Sequence, residues 1–347
     1  MATDNVCNMA SQLPASALST LHLLGHFSDL YTGAERELLD TKALLDGQRP
    51  VKLWSDVVPH RGYAGRGITV LQPFAHQFPK DGVLLLAGVH IRPGIWLKYT
   101  KFERVIVFYN LSSHALLFSI IEQVREATGL EPELVFVSTM LQTSVGLPGR
   151  VSRSLMTLQP FLDVAEQRLQ HTLQPLSGQN RKLRVGRASR DALDKHHPDD
   201  PSLYRMLASQ GIQVRIMGGT CLAPALDGVD GVELLAAGAE PVADFYRMID
   251  IFFYRTGRSV EAYGRVVVEA MASGLPVVAH SRGGYAEIID SNIDGFLINS
   301  QEEAYDTVMK LTTATDLCVA IGKAASLKAQ QLHGSQAVAR ELDVYLS

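Results

Sequence analysis

Residues 250–283 constrain this chain more than any other stretch. A dense apolar run, Asp250-Ile251-Phe252-Phe253-Tyr254, gives way to a polar turn through Arg255, Thr256, Gly257, Arg258 and Ser259. From Gly264 to Ser273 the residues Val266, Val267, Ala270 and Met271 fall on one helical face. Gly274 stops that helix, and 276–279 (Pro-Val-Val-Ala) reads as the next strand. Strand, loop, helix and strand in so short a span make a parallel unit. Its first loop lies at the carboxyl end of a strand, where open α/β sheets bind ligands. The helix start offers free N–H groups and a positive dipole end, which suits a diphosphate, and Gly264 lets backbone come close to a ligand. Glu261 stands in the loop and Glu269 inside the helix, two carboxylates able to accept from hydroxyl donors on either side of that helix start.

The rest of the second half keeps the same alternation. Strands are expected at 183–186, 212–217, 232–236 and 295–298, and helices at 202–210, 241–248, 302–313 and 316–332. The first half is less legible. Strands are expected at 21–25, 83–87, 104–108 and 135–137, and a helix at 38–45. A loop-like composition at 170–182, with Pro175, Ser177, Gly178 and Asn180, marks the boundary between two domains. The 347 residues suffice for both.

Several function classes are disfavoured. With 32 Lys and Arg against 36 Asp and Glu, the chain has no cationic excess for nucleic acid. Cys7, Cys221 and Cys318 are too scattered for a disulfide framework or a metal site, which points to a reducing compartment. No apolar run approaches the roughly 20 residues of a membrane helix. The amino terminus lacks a basic segment followed by an apolar core, so no secretory signal is expected.

A second candidate motif is 184–199, Arg-Val-Gly-Arg-Ala-Ser-Arg-Asp-Ala-Leu-Asp-Lys-His-His-Pro-Asp, at the end of a strand. Arg187, Arg190 and Lys195 can converge on one anion there. Alternatively, the loop is a solvated basic segment balanced by Asp191, Asp194, Asp199 and Asp200. Gly218 and Gly219 follow another strand, which is a weak signal by itself.

Glu261 and Glu269 with Gly264 between them, followed by Pro-Val-Val-Ala, resemble the signature of retaining glycosyltransferases of the GT-B fold, in particular glycosyltransferase family 4 (glycosyl transferases group 1). The resemblance is strongest over 183–300. It implies an α/β chain of two Rossmann-like, doubly wound parallel-sheet domains facing a central cleft. Residues 1–175 would hold the acceptor and 176–334 the donor, with 335–347 crossing back onto the first domain. By resemblance, Glu269 takes the ribose hydroxyls, Glu261 contacts the transferred sugar, and the backbone at Gly264, Arg265 and Val266 touches sugar and phosphate. Lys195 with either Arg187 or Arg190 would hold the diphosphate, with Gly218 and Gly219 nearby. Leu235 and its neighbour Leu234 lie where the base is read through backbone atoms. Gly33, in Tyr31-Thr32-Gly33-Ala34-Glu35-Arg36, is a site of close ligand approach, although Glu35 and Arg36 also read as a solvated helix start. His114 is preferred over His90 and Asn110 as the polar group facing the sugar.

The implied donor is a UDP- or GDP-sugar, with no separate cofactor and no metal. The implied acceptor is a glycan or lipid-linked hydroxyl in a polysaccharide or glycoconjugate pathway, and the expected location is the cytoplasm, at the inner face of the membrane if the acceptor is lipid-linked. Arg92, Lys98, Lys101 and Arg104, with Ile91, Ile95, Trp96 and Leu97, are a candidate peripheral membrane patch or an ordinary charged surface helix. The sequence sets no oligomeric state. The rival readings are an epimerase of the same fold and an inactive scaffold.

Overall fold

The computed structural model describes residues 18–111, 113–173 and 182–347, without the side chains of 171–173. The chain forms two parallel sheets in sequence. The first comprises β1 (Leu21–Gly25), β2 (Val51–Ser55), β3 (Ile68–Val70), β4 (Asp81–Ala87), β5 (Lys101–Tyr109), β6 (Glu133–Phe136) and β7 (Arg150–Val151), in the order β3-β2-β1-β4-β5-β6-β7. The second comprises β8 (Arg184–Ala188), β9 (Gln213–Met217), β10 (Val232–Leu235), β11 (Ile251–Tyr254), β12 (Val277–His280) and β13 (Phe296–Ile298), in the order β10-β9-β8-β11-β12-β13. In both, the chain moves outward one way from the first strand and then returns to build the other side. Each sheet therefore has a topological switch point, β1/β4 in the first and β8/β11 in the second, the place where such sheets bind ligands.

Helices on both faces bury the central strands, so these read as nearly continuous apolar runs. All five residues of β1 and all four of β11 are buried. The pleat still sorts side chains by face: Phe252 joins the apolar core that continues into the first domain, and Phe253 joins the separate core beneath β8 and β9.

The helices of the first sheet are α1 (Gly33–Leu44), α2 (His114–Thr128) and α3 (Thr139–Val145). The next, α4 (Gln159–Leu173), lies against the second domain: Phe161 meets Tyr246 with ring centroids 5.8 Å apart, and Arg168 donates to the Tyr246 carbonyl at 2.6 Å. The second sheet carries α5 (Asp200–Ser209), α6 (Ala223–Leu226), α7 (Val242–Arg247), α8 (Arg265–Ala272), α9 (Gln301–Thr313) and α10 (Thr315–His333). The last helix, α11 (Ser335–Leu346), returns to the first domain, where Arg49 donates to the Tyr345 carbonyl at 2.6 Å and Ser152 to Glu341 at 2.6 Å. Most of the expected boundary at 170–182 lies outside the described residues.

Element starts differ from the sequence reading by a few residues. The helix expected at 38–45 begins five residues earlier, at Gly33, because Glu35 and Glu37 turn inward and are buried instead of facing solvent. The 91–104 stretch is not a surface helix. Only 95–99 form a 3₁₀ turn, with Ile91, Trp96 and Leu97 buried and Ile95 and Tyr99 exposed. Arg104 is tied to Glu133 at 2.7 Å. Among the described residues, no helix is long and apolar enough to cross a membrane.

Candidate functional site

The loops after β8, β9 and β11 and the start of α8 meet at the β8/β11 switch point. Lys195, from the loop after β8, forms an ion pair with Glu261, from the loop after β11. The Tyr254 hydroxyl donates to the same Glu261 oxygen at 2.8 Å. Burial alone would raise the Glu261 carboxyl, but Lys195, Tyr254 and Arg187 together hold it below the ordinary range. Burial and then Glu261 push the Tyr254 phenol well above its usual value, so it stays a donor. Residues 66 positions apart thus build a pre-formed acid–base cluster with one fixed cation.

The two candidate arginines separate. Arg187 is 1% exposed. Its guanidinium lies 4.5 Å from the centre of the Tyr254 ring and donates to the carbonyls of Arg255 and Lys195. It braces the loop that carries Lys195: Nη1 and Nη2 each reach a backbone carbonyl, while the buried Nε has no hydrogen-bond partner among the described residues. Arg190 keeps 38% of its side chain exposed, 3.9 Å from Asp194. Gly218 lies against the same loop, and a methyl group there would come within 2.0 Å of the Ser189 carbonyl oxygen. His196 bonds the Gly218 carbonyl at 2.9 Å, and burial followed by Arg187 lowers its imidazole to about 4. The amides of Gly218 and Gly219 both donate to the Leu235 carbonyl, at 2.9 and 3.0 Å.

Gly264 precedes α8 with φ of +90°, and a methyl group there would lie 2.7 Å from Cδ1 of buried Tyr285. Glu269, farther along the helix, is completely buried. The Arg36 guanidinium of α1 approaches its Oε1 at 2.8 Å, and the Tyr246 hydroxyl is 3.4 Å from Oε2 and 3.0 Å from the Val266 carbonyl. The side chain of Arg265 reaches into the first domain, donating to Ser154 Oγ at 2.8 Å, to the Leu155 carbonyl at 2.7 Å and to Asp40. Gly33 faces it: a methyl group there would sit 3.6 Å from Arg265 Cδ. Val266 contributes its carbonyl to Tyr246. His114 stands at the start of α2, exposed, 3.3 Å from the Ser144 hydroxyl.

Lys195 and Glu261 are therefore brought together, and Gly264, Arg265, Val266 and Glu269 share one short segment. In sequence, Tyr246 and Tyr254 look like core aromatics and Arg36 like a helix-start residue, so none of the three stands out. The only hint was Arg36 following Gly33 in a Gly-Ala-Glu-Arg segment.

Residues 216–328 match the family model of glycosyl transferases group 1. The D-inositol 3-phosphate glycosyltransferase of Streptomyces griseus subsp. griseus is 33% identical over 110 residues, which is 31% of this chain and 23% of that protein. The chain thus spans about a quarter of the length of the curated relatives it matches. Solved structures cover it almost whole. Anabaena Alr3699/HepE in complex with UDP superimposes with a TM-score of 0.70 at 16% identity over 95% of this chain and 99% of that one. WaaG, a glycosyltransferase involved in lipopolysaccharide biosynthesis, does so with 0.68 at 14% identity over 93% and 99%. The chain has the GT-B fold, and residues 216–328 of its second domain are similar to glycosyl transferases group 1.

Proposed function

We propose that the protein is a retaining, metal-independent glycosyltransferase that moves a sugar from a nucleoside diphosphate sugar to a hydroxyl of a glycan or lipid-linked acceptor. The observation that carries this reading is the meeting of Lys195, Glu261 and the start of α8 at the β8/β11 switch point, with Glu269 deeper in the same helix. The HepE neighbour was solved with UDP, which makes UDP-sugars the first donors to try.

Each group then has work to do. Glu269 accepts the ribose hydroxyls, and Glu261, steadied by Tyr254, accepts hydroxyls of the sugar. As the bond from the anomeric carbon to the diphosphate breaks, negative charge grows on the phosphate oxygen. Lys195 and the α8 dipole neutralise it from fixed positions, the kind of pre-set electrostatics that lowers such barriers most, and Arg190 adds its charge from the more exposed side of the loop. The acceptor oxygen bonds to the anomeric carbon on the face the diphosphate leaves, and its proton passes to the departing phosphate oxygen. No protein nucleophile is required, and positioning supplies much of the rate. Arg187 acts through the loop it braces. His114, from the first domain, is assigned to the acceptor side.

The test is a panel of UDP-, GDP- and ADP-sugars, each mixed with glycan and lipid-linked acceptors and followed for release of nucleoside diphosphate and for anomeric configuration by NMR. Release with retention, lost in Glu269→Ala, supports the proposal. Inversion at the anomeric carbon overturns the retaining assignment. Nucleotide binding without release from any donor and acceptor favours the inactive scaffold.

A further inference from the structure

The fully buried Glu269 has its cationic neighbour in the other domain. Arg36, in the first turn of α1, places Nη2 2.8 Å from Glu269 Oε1, while its own side chain remains 39% exposed. Oε1 nevertheless receives no well-directed hydrogen bond, so it keeps unused acceptor capacity in a buried position. Tyr246 occupies the side of Oε2, at 3.4 Å. Glu269 in turn holds the Arg36 guanidinium above its usual pKa, with Asp40 adding to the effect. A buried carboxylate needs a positive partner to offset its lost hydration, and Arg36 supplies one across the domain boundary.

We infer that Arg36 is a positioning residue for the donor: it completes the nucleotide site from the first domain by holding the Glu269 side chain so that its unused acceptor positions take the ribose 2′- and 3′-hydroxyls. The inference rests on the proposed donor site. It makes that site whole only when the two domains are together, so closing the cleft and preparing the donor site are one event. Arg265 sits on the same seam, reaching from α8 to Ser154 and Asp40, and keeps α8 in register with α1.

The test compares UDP and GDP with their 2′,3′-dideoxy forms by calorimetric titration into the full chain. Hydrogen bonds to a charged acceptor correspond to a preference of about 10-fold or more for the ribose forms in the wild type. Glu269→Ala sets the level at which that preference is gone. In Arg36→Gln the preference should collapse to near that level while dideoxy affinity changes little, and Arg36→Lys should fall between. Equal losses for ribose and dideoxy forms, with the preference kept, would show that Arg36 only supports the fold. A larger preference in Arg36→Gln would show that it competes with ribose. Either result overturns the inference. Thermal melts of each variant accompany the titrations. If Arg36→Gln does not fold, Arg36→Lys decides by the same ratio. A wild type that binds none of the four ligands refutes the donor site itself, a failure separate from that of Arg36.

Discussion

Glu287, in the turn after β12, accepts the backbone N–H of Thr139 at 3.0 Å and that of Met140, so a carboxylate of the second domain caps the first turn of α3 in the first. The helix it caps belongs to the other domain, so this contact ties the two domains together. Free N–H groups and the positive end of the dipole make that position favourable for an anion. Glu287→Ala should therefore cost about 1 kcal/mol, the usual worth of a cap. It should also widen the cleft. Urea unfolding and small-angle scattering check this, and an unchanged radius of gyration with unchanged stability would refute the clamp.

The Lys195–Glu261 pair is closed enough that losing one partner is costly. The two side chains are 15% and 18% exposed. Lys195→Met leaves Glu261 with Tyr254 but no ammonium, and should cost roughly 3 kcal/mol of stability. Because the folded carboxyl titrates below its ordinary value, the pair's contribution is complete above the ordinary range and is lost as pH falls through the lower folded value. The Lys195→Met deficit should accordingly shrink in acid. A deficit that stays constant from neutral pH into acid would rule out ion pairing as its source.

Glu37 predicts the opposite slope. It is 4% exposed and accepts from Ser154 Oγ and the Leu155 N–H, both at 3.0 Å. Burial outweighs the pull of Arg265 and lifts the carboxyl to about 7. A raised acid binds its proton more tightly folded than unfolded, so its stabilising effect is complete below the unfolded value and is lost as pH rises through the folded one. Between pH 4.5 and 7 the wild type should lose about 3 kcal/mol relative to Glu37→Gln. Chemical unfolding of both proteins across that range checks the difference, and parallel curves would contradict it.

Gly264 is predicted to tolerate no side chain. Its φ of +90° disfavours any other residue, and the added methyl would meet Tyr285, which has no room to move because it is fully buried. Gly264→Ala should cost about 3 kcal/mol from strain and overpacking together. It should also displace the start of α8 and abolish nucleotide binding. Wild-type melting and wild-type affinity in this variant would mean the turn is not rigid.

The sequence disclosed the second domain far better than the first, and for a physical reason. Central strands such as 251–254 and 277–280 are buried on both faces and read as unbroken apolar runs between glycines. Their ends fell within a residue or two of the expected positions. In the first domain, β2 carries an exposed Lys52, and β3 is three half-buried residues, too short for any period to register. The polar residues of α1 hid its true start, since Glu35 and Glu37 look solvated in sequence and are buried in the fold. At the site, the types and spacing of Glu261, Gly264 and Glu269 were visible because they are local. The pairings Lys195–Glu261 and Arg36–Glu269 were not, because they join residues 66 and 233 positions apart through tertiary structure alone. Nor was it visible that Tyr254 covers Arg187 while Arg190 stays partly exposed.

The central claim is that this cleft binds a nucleoside diphosphate through Glu269. A thermal-shift panel of UDP, GDP, ADP and CMP on the wild type and Glu269→Ala tests it most directly. Ligand at 100 times its dissociation constant should stabilise the wild type by about 2.7 kcal/mol. The account predicts such a shift for one nucleoside diphosphate in the wild type and its loss in Glu269→Ala. No shift from any nucleotide at millimolar concentration, or an equal shift in both proteins, would contradict it.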